Sequence, residues 1–169
     1  MTQKVFGVVG WKNSGKTTLV ERLVAELTRR GFAISTVKHA HHGFDIDREG
    51  ADSFRHREAG AVEVAIVSGR RWALMHELRG EDEPDLDAIL VRLALCDLVL
   101  VEGYKKEPHA KIETRRKGGK DTAPLAPGDP AIVAIAADHP VAGAAVPVFD
   151  IDAVEALADF IQTTVGLRR

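Results

Sequence analysis

The feature that most constrains this chain is the stretch VFGVVGWKNSGKTTLVERLVAEL at residues 5–27. A short apolar run ends on a loop, Gly10-Trp11-Lys12-Asn13-Ser14-Gly15-Lys16-Thr17, framed by glycines with four residues between them. The pattern then switches at once to apolar positions three and four apart: Leu19, Val20, Leu23, Val24 and Leu27 form one stripe of a helix, and Gly31 marks its stop. A strand delivering a glycine loop into a helix is the context in which such a loop binds phosphate, because its amides and the helix N-terminus point their N–H groups at an anion. Gly10 and Gly15 permit close phosphate approach. The amides around Asn13 and Ser14 cradle the oxygens, Lys16 reaches the β- and γ-phosphates, the Thr17 hydroxyl completes a Mg²⁺ shell, and Thr18 adds a bond to the α-phosphate. Lys12 reads two ways, as a contact to the γ-phosphate or to a partner's nucleotide, or as a solvated side chain.

The rest of the chain alternates in the same manner. The runs KVFGVVG, FAISTVK, AVEVAIVS, LVLVEG and AIVAIAA lack polar alternation, as strands buried on both faces do. Helical patterns cover REGADSFRHREAG, with Gly60 as stop, and DLDAILVRLAL, where Leu86, Ile89, Leu90 and Leu93 share a face. A last helix has Asp152 and Glu155 at capping-box spacing, followed by Val154, Leu157, Ala158 and Ile161 as its buried stripe. This is an α/β fold of the P-loop NTPase kind: a mostly parallel sheet flanked by helices, in a single nucleotide-binding domain over residues 1–169. Two departures are expected. Residues 63–79 read as an antiparallel hairpin or edge extension turning at Ser68-Gly69-Arg70, and residues 105–130, rich in basic residues, Gly and Pro, read as a mobile surface segment.

A Mg²⁺-nucleotide site needs a carboxylate at the end of a neighbouring strand. Glu102, closing DLVLVEG, is placed for it, whereas Asp97 lies at the wrong end; capping a following turn is the other reading of Glu102. The segment VKHAHHGFDID gathers His39, His41, His42, Asp45 and Asp47. It reads as a switch-like loop touching Mg²⁺ or the γ-phosphate, with Asp47 as a water-mediated metal contact, as a transition-metal site, or as solvated loop residues.

The residues GWKNSGKTTL, VKHAHHGFDID, GADSFRHREAGA, RRWALM, LVLVEGYKKEPHAKIE and AIAAD, in this order, resemble the bacterial molybdopterin-guanine dinucleotide biosynthesis adaptor family, MobB. The resemblance implies a homodimeric P-loop protein that binds GTP and helps a partner nucleotidyltransferase, a MobA-like molybdenum cofactor guanylyltransferase, attach GMP to molybdopterin, with weak GTP hydrolysis at most. Guanine preference rests mainly on the resemblance, since no Asn-Lys-x-Asp element is present. Asp138 in AIAADHP is the substitute, either accepting from guanine N1–H and N2–H or forming a turn before Pro140. A basic set, Lys105, Lys106, Lys111, Arg115, Arg116 and Lys117, attracts a pterin phosphate or an acidic partner surface, or is a solvated loop.

No catalytic residue is assigned. The only glutamines are Gln3 and Gln162, so no switch-region Gln stands ready to position a water, and slow turnover is expected. Arg70 or Arg71 could act on nucleotide across a dimer, or pair with a carboxylate. The competing class is a self-sufficient P-loop small-molecule kinase or NTPase, for which the segment 115–120 is the only lid-like stretch. Strand edges carrying Trp72, Leu74 and Met75 invite edge-to-edge pairing between subunits. Composition narrows the field: a formal net charge of -2 provides no field for nucleic acid, and no apolar run is long enough to span a membrane. A cytoplasmic address follows from the missing signal pattern, and the single Cys96 reads as a small hydrophobe.

Overall fold

Unbroken apolar runs become parallel strands here because both faces of the sheet are covered. In chain order the elements are β1 (Val5–Val9), α1 (Lys16–Arg29), β2 (Ile34–Lys38), α2 (Asp52–Glu58), β3 (Glu63–Val67), β4 (Trp72–His76), α3 (Leu86–Arg92), β5 (Leu98–Glu102), β6 (Lys111–Arg115), β7 (Ile132–Ala137), β8 (Val148–Asp150) and α4 (Val154–Val165). The computed structural model describes residues 3–40, 43–118 and 123–168. The chain divides into two units, Met1–His39 with Ile89–Arg169, and Ala40–Ala88.

The larger unit is built on a six-stranded sheet in the order β2-β5-β1-β6-β7-β8, every pair parallel. Phe6, Val8, Leu100, Ile112, Ala134 and Ala136 meet Leu19, Leu23 and Leu27 of α1 and Leu157 and Ile161 of α4 in one core. Val9, Val99, Val101 and Ile135, on the alternate positions, are buried as well. Such double burial is what removes polar alternation from these strands. The chain runs from β1 to β2 on one side and crosses from β5 to β6 on the other. The crevice outside the carboxyl end of β1 is therefore the switch point where α/β sheets place ligands.

Three expectations need correction. The segment 105–130 is not irregular throughout: Lys111–Arg115 form β6, an interior strand between β1 and β7. Its charged side chains are held by the loops around it, as described below. Asp152 does not cap α4; the N-cap is Ala153, without a side-chain cap, and Asp152 instead pairs with Arg22 of α1. Met75 is turned inward rather than lying on an exposed edge.

The smaller unit holds β3 and β4 as a separate antiparallel pair, with Val64 opposite Met75 and Val67 opposite Trp72. Val64 and Met75 are buried on one face, while Val67, Trp72 and Leu74 stand exposed on the other. Beside α2, Arg57 binds Asp45 at 2.9 Å and Glu77 at 2.8 Å. Among the described residues, no helix is long and apolar enough to cross a membrane.

Candidate nucleotide-phosphate site

The loop that closes β1 has a backbone shaped by its residues. Gly10, Asn13 and Gly15 take φ values of 153°, 64° and 95°, and Asn tolerates the left-handed region better than most side chains. A Cβ on Gly10 would stand 2.4 Å from Ser14 Oγ and 2.8 Å from the Thr114 carbonyl oxygen, so nothing larger than glycine fits there. Gly15 is the N-cap of α1, which brings the first amides of that helix to the loop.

The loop is fastened to β6. Thr114 Oγ1 donates to the Val9 carbonyl at 3.1 Å, which leaves Ser14 Oγ as the donor in the 2.7 Å bond to Thr114 Oγ1. Both hydroxyls are buried. On the outer side, Trp11 Nε1 donates to the Ala123 carbonyl at 2.7 Å, and the Lys105 ammonium lies 3.9 Å from the Trp11 ring centroid.

Lys16 folds over the loop and donates to the Trp11 carbonyl at 2.7 Å. Burial holds its pKa below the ordinary value; Glu102 opposes that shift, and the cations Lys105 and Lys38 reinforce it. Three ammonium groups thus share one local field with the Glu102 carboxylate, an arrangement suited to a polyanion. Thr17 Oγ1 donates to Glu102 Oε1 at 2.9 Å, and Lys38 Nζ lies 3.6 Å from the same oxygen. Glu102, the last residue of β5, is therefore joined by its side chain to the residue after Lys16. The Lys38 ammonium is the cation already resting on this carboxylate. Hydroxyl and carboxylate are hard oxygen ligands of the kind Mg²⁺ takes, with phosphate and water completing its shell.

Other expected residues fall as follows. Lys12 and Thr18 are exposed. Asp138, which follows β7, accepts Lys117 N–H at 2.9 Å and bonds His139 Nδ1 at 2.7 Å through the same Oδ1. Those bonds, the histidine's first, lower its pKa. Asp47 lies in the smaller unit, where Ser53 Oγ and the Arg48 amide donate to its Oδ1 and Arg57 lies 3.5 Å from its Oδ2. His39 packs its ring 4.8 Å from that of Tyr104. His41 and His42 lie outside the described residues, among which no group of three or more His, Cys, Asp and Glu could hold a metal ion.

Several residues around the site escape a reading of apolar patterns. Lys111, wholly buried, donates to the carbonyls of Lys105 and Glu107 and to Asp129, fixing the turn that carries Lys105. Glu113 accepts the amides of Leu125 and Ala126 at 3.0 and 2.9 Å, fixing the stretch that includes Ala123. The signal was there as a period-2 pattern, with Ile112 and Thr114 facing the core and the charges opposite.

The sequence profile of the MobB family, described as molybdopterin guanine dinucleotide synthesis protein B, matches residues 5–138. A molybdopterin-guanine dinucleotide biosynthesis adapter protein of Escherichia coli K12 is 40% identical over 153 residues, covering 89% of this chain and 87% of that one. Its Haemophilus influenzae counterpart is 39% identical over 158 residues, covering 94% and 87%. Among solved structures, a MobB homolog from Bacillus stearothermophilus aligns with a TM-score of 0.72 at 31% identity, covering 97% of this chain and 99% of that one.

Proposed function

This chain belongs to the MobB family, and from that premise we propose that it is a GTP-binding adapter in molybdopterin-guanine dinucleotide synthesis. In this reading it assists a MobA-like guanylyltransferase that acts on molybdopterin, and it turns GTP over only weakly by itself. The observation that carries the nucleotide part is the joining of Thr17 to Glu102 beneath a loop only glycine can form.

The residues divide the work. Amides of Gly10–Thr17 and the N-terminus of α1 take the phosphate oxygens, and Lys16 exchanges its bond to Trp11 for the β- and γ-phosphates. Thr17 and Glu102 are the residues that would hold Mg²⁺. When bound, Mg²⁺ neutralises the triphosphate and fixes its orientation. Lys38, 3.6 Å from Glu102 Oε1, and Lys105 would supply positive charge toward the phosphates. Asp138 provides the carboxylate for guanine N1–H and N2–H.

A second copy of the chain is the proposed occupant of the exposed face formed by Val67, Trp72 and Leu74, because an isolated two-stranded sheet is marginal on its own. The test of the whole reading is reconstitution with a MobA-like guanylyltransferase, molybdopterin and γ-labelled GTP. Partner-dependent gain of the guanine dinucleotide, without label passing to a small acceptor, supports it. Label transfer to an acceptor in the absence of the partner would identify a kinase instead.

A further inference from the structure

Beside the phosphate loop lies a cavity of about 280 Å³ whose walls include Trp11, Ser14, Arg116, Lys117, Gly118 and His139. It shares Trp11 and Ser14 with the loop itself. The cavity is therefore contiguous with the loop. The volume falls just below the roughly 300–1,000 Å³ of complete small-molecule sites, which suits one ring system rather than a whole nucleotide.

Arg116 gives the cavity its chemistry. Its Nε is buried and has no hydrogen-bond partner among the described residues. The side chain crosses the loop at Gly15, with Nε 2.9 Å and Cδ 3.5 Å from where a Cβ on that glycine would stand. A planar, delocalised guanidinium of this kind stacks on aromatic faces, which an ammonium cannot do as well. Hydrogen bonds hold several of the wall residues. Trp11 is tied to Ala123, Ser14 to Thr114, and Lys117 to Asp138. Preorganisation of this sort lowers the ordering cost of binding.

We infer that this cavity receives the base of the nucleotide whose phosphates the Gly10–Thr17 loop holds, and that Arg116 stacks on the ring. The inference rests on the nucleotide-binding reading above and adds the second half of its site. A contact from Arg116 to phosphate is the competing arrangement, and the two differ in which ligands feel a substitution.

The test is calorimetric titration of the full chain and of its Arg116→Ala and Arg116→Lys variants with Mg²⁺-GTP and with Mg²⁺-tripolyphosphate, which has no base. The native protein should bind GTP more tightly than tripolyphosphate. Both variants should weaken GTP binding about tenfold or more, as loss of a stacking partner does, while tripolyphosphate binding stays within about twofold. Equal weakening of both ligands in Arg116→Ala, with recovery in Arg116→Lys, would make Arg116 a phosphate contact and overturn the inference. Equal affinity of the native protein for the two ligands would overturn it whether or not the variants fold. Binding of neither ligand by the native protein would overturn the nucleotide reading along with it.

Discussion

At the scale of single residues, the pairing of Thr17 with Glu102 says more than either residue does alone. A carboxylate at a strand end has many uses, but one that accepts from the Thr after Lys16 at 2.9 Å sets two hard oxygen ligands side by side, the feature on which the proposed Mg²⁺ role rests. Glu102→Gln keeps the size and an acceptor while removing the charge. It should reduce the gain in GTP affinity that Mg²⁺ gives by roughly 10–100-fold, with little change in the metal-free affinity, as titrations with Mg²⁺ and with EDTA would show. His109 makes a different prediction. Its ring lies against Gly7, and its Nε2 is buried with no hydrogen-bond partner among the described residues. Burial, helped by the Lys111 charge, pushes its pKa down to about 4 from an ordinary 6.5. Above pH 6.5 the ring is neutral in both the folded and the unfolded chain, so it adds no pH dependence there. As pH falls from 6.5 toward 4 the unfolded chain takes up the proton first; stability should drop across that window and level off below it. Melting temperatures over this range should decline less steeply in His109→Gln.

At the scale of elements, β1, β2, β5, β7 and α1 were legible because a continuous apolar run of strand length, or a 3.6-residue apolar stripe, is buried efficiently in only one kind of element. The glycine loop was legible because its spacing and its context agree. β6 was not, although it forms one wall of the site. The segment read as a mobile surface stretch, with Lys111 and Arg115 either facing an anionic partner or solvated, since charged side chains are seldom buried. Here the loops that follow β5 and precede β7 bring carbonyls to Lys111 and amides to Glu113, so the charges are paired inside. That pairing is a tertiary fact, which no local pattern carries. Asp152 misled for a related reason, because its carboxylate found Arg22 on α1 instead of the first turn of α4. The role of β6 can be weighed through Thr114. Thr114→Val keeps the β-branched shape but leaves the Ser14 hydroxyl and the Val9 carbonyl without their partner, at a cost of about 1–3 kcal/mol. Denaturant melts should show that loss, and Thr114→Ser should recover most of it.

At the scale of the whole molecule, the β3–β4 sheet matters most for assembly, because Val67, Trp72 and Leu74 on one of its faces are exposed. The face bearing Val67, Trp72 and Leu74 also carries Glu63 and His76, paired at 2.9 Å, so it joins an apolar patch to a polar rim. This is the composition of many protein interfaces, and the proposed dimer uses it. Light scattering at micromolar concentration should give the mass of two chains, and Trp72→Lys should reduce it to one; a single-chain mass for the native protein would rule against the dimer. The resemblance in the sequence and the matches to solved structures agree on the fold, and the glycine loop with the Thr17–Glu102 hydrogen bond is the part of it on which the proposed nucleotide site rests. The most direct measurement of nucleotide binding is calorimetric titration of the metal-free protein and of Lys16→Ala with GTP and with ATP in the presence of Mg²⁺. Saturable binding that prefers GTP is expected of the native protein, and it should disappear in the variant while the variant's melting curve stays close to native. Equal binding by native and variant proteins, or a preference for ATP, would contradict a GTP-binding adapter built on this loop.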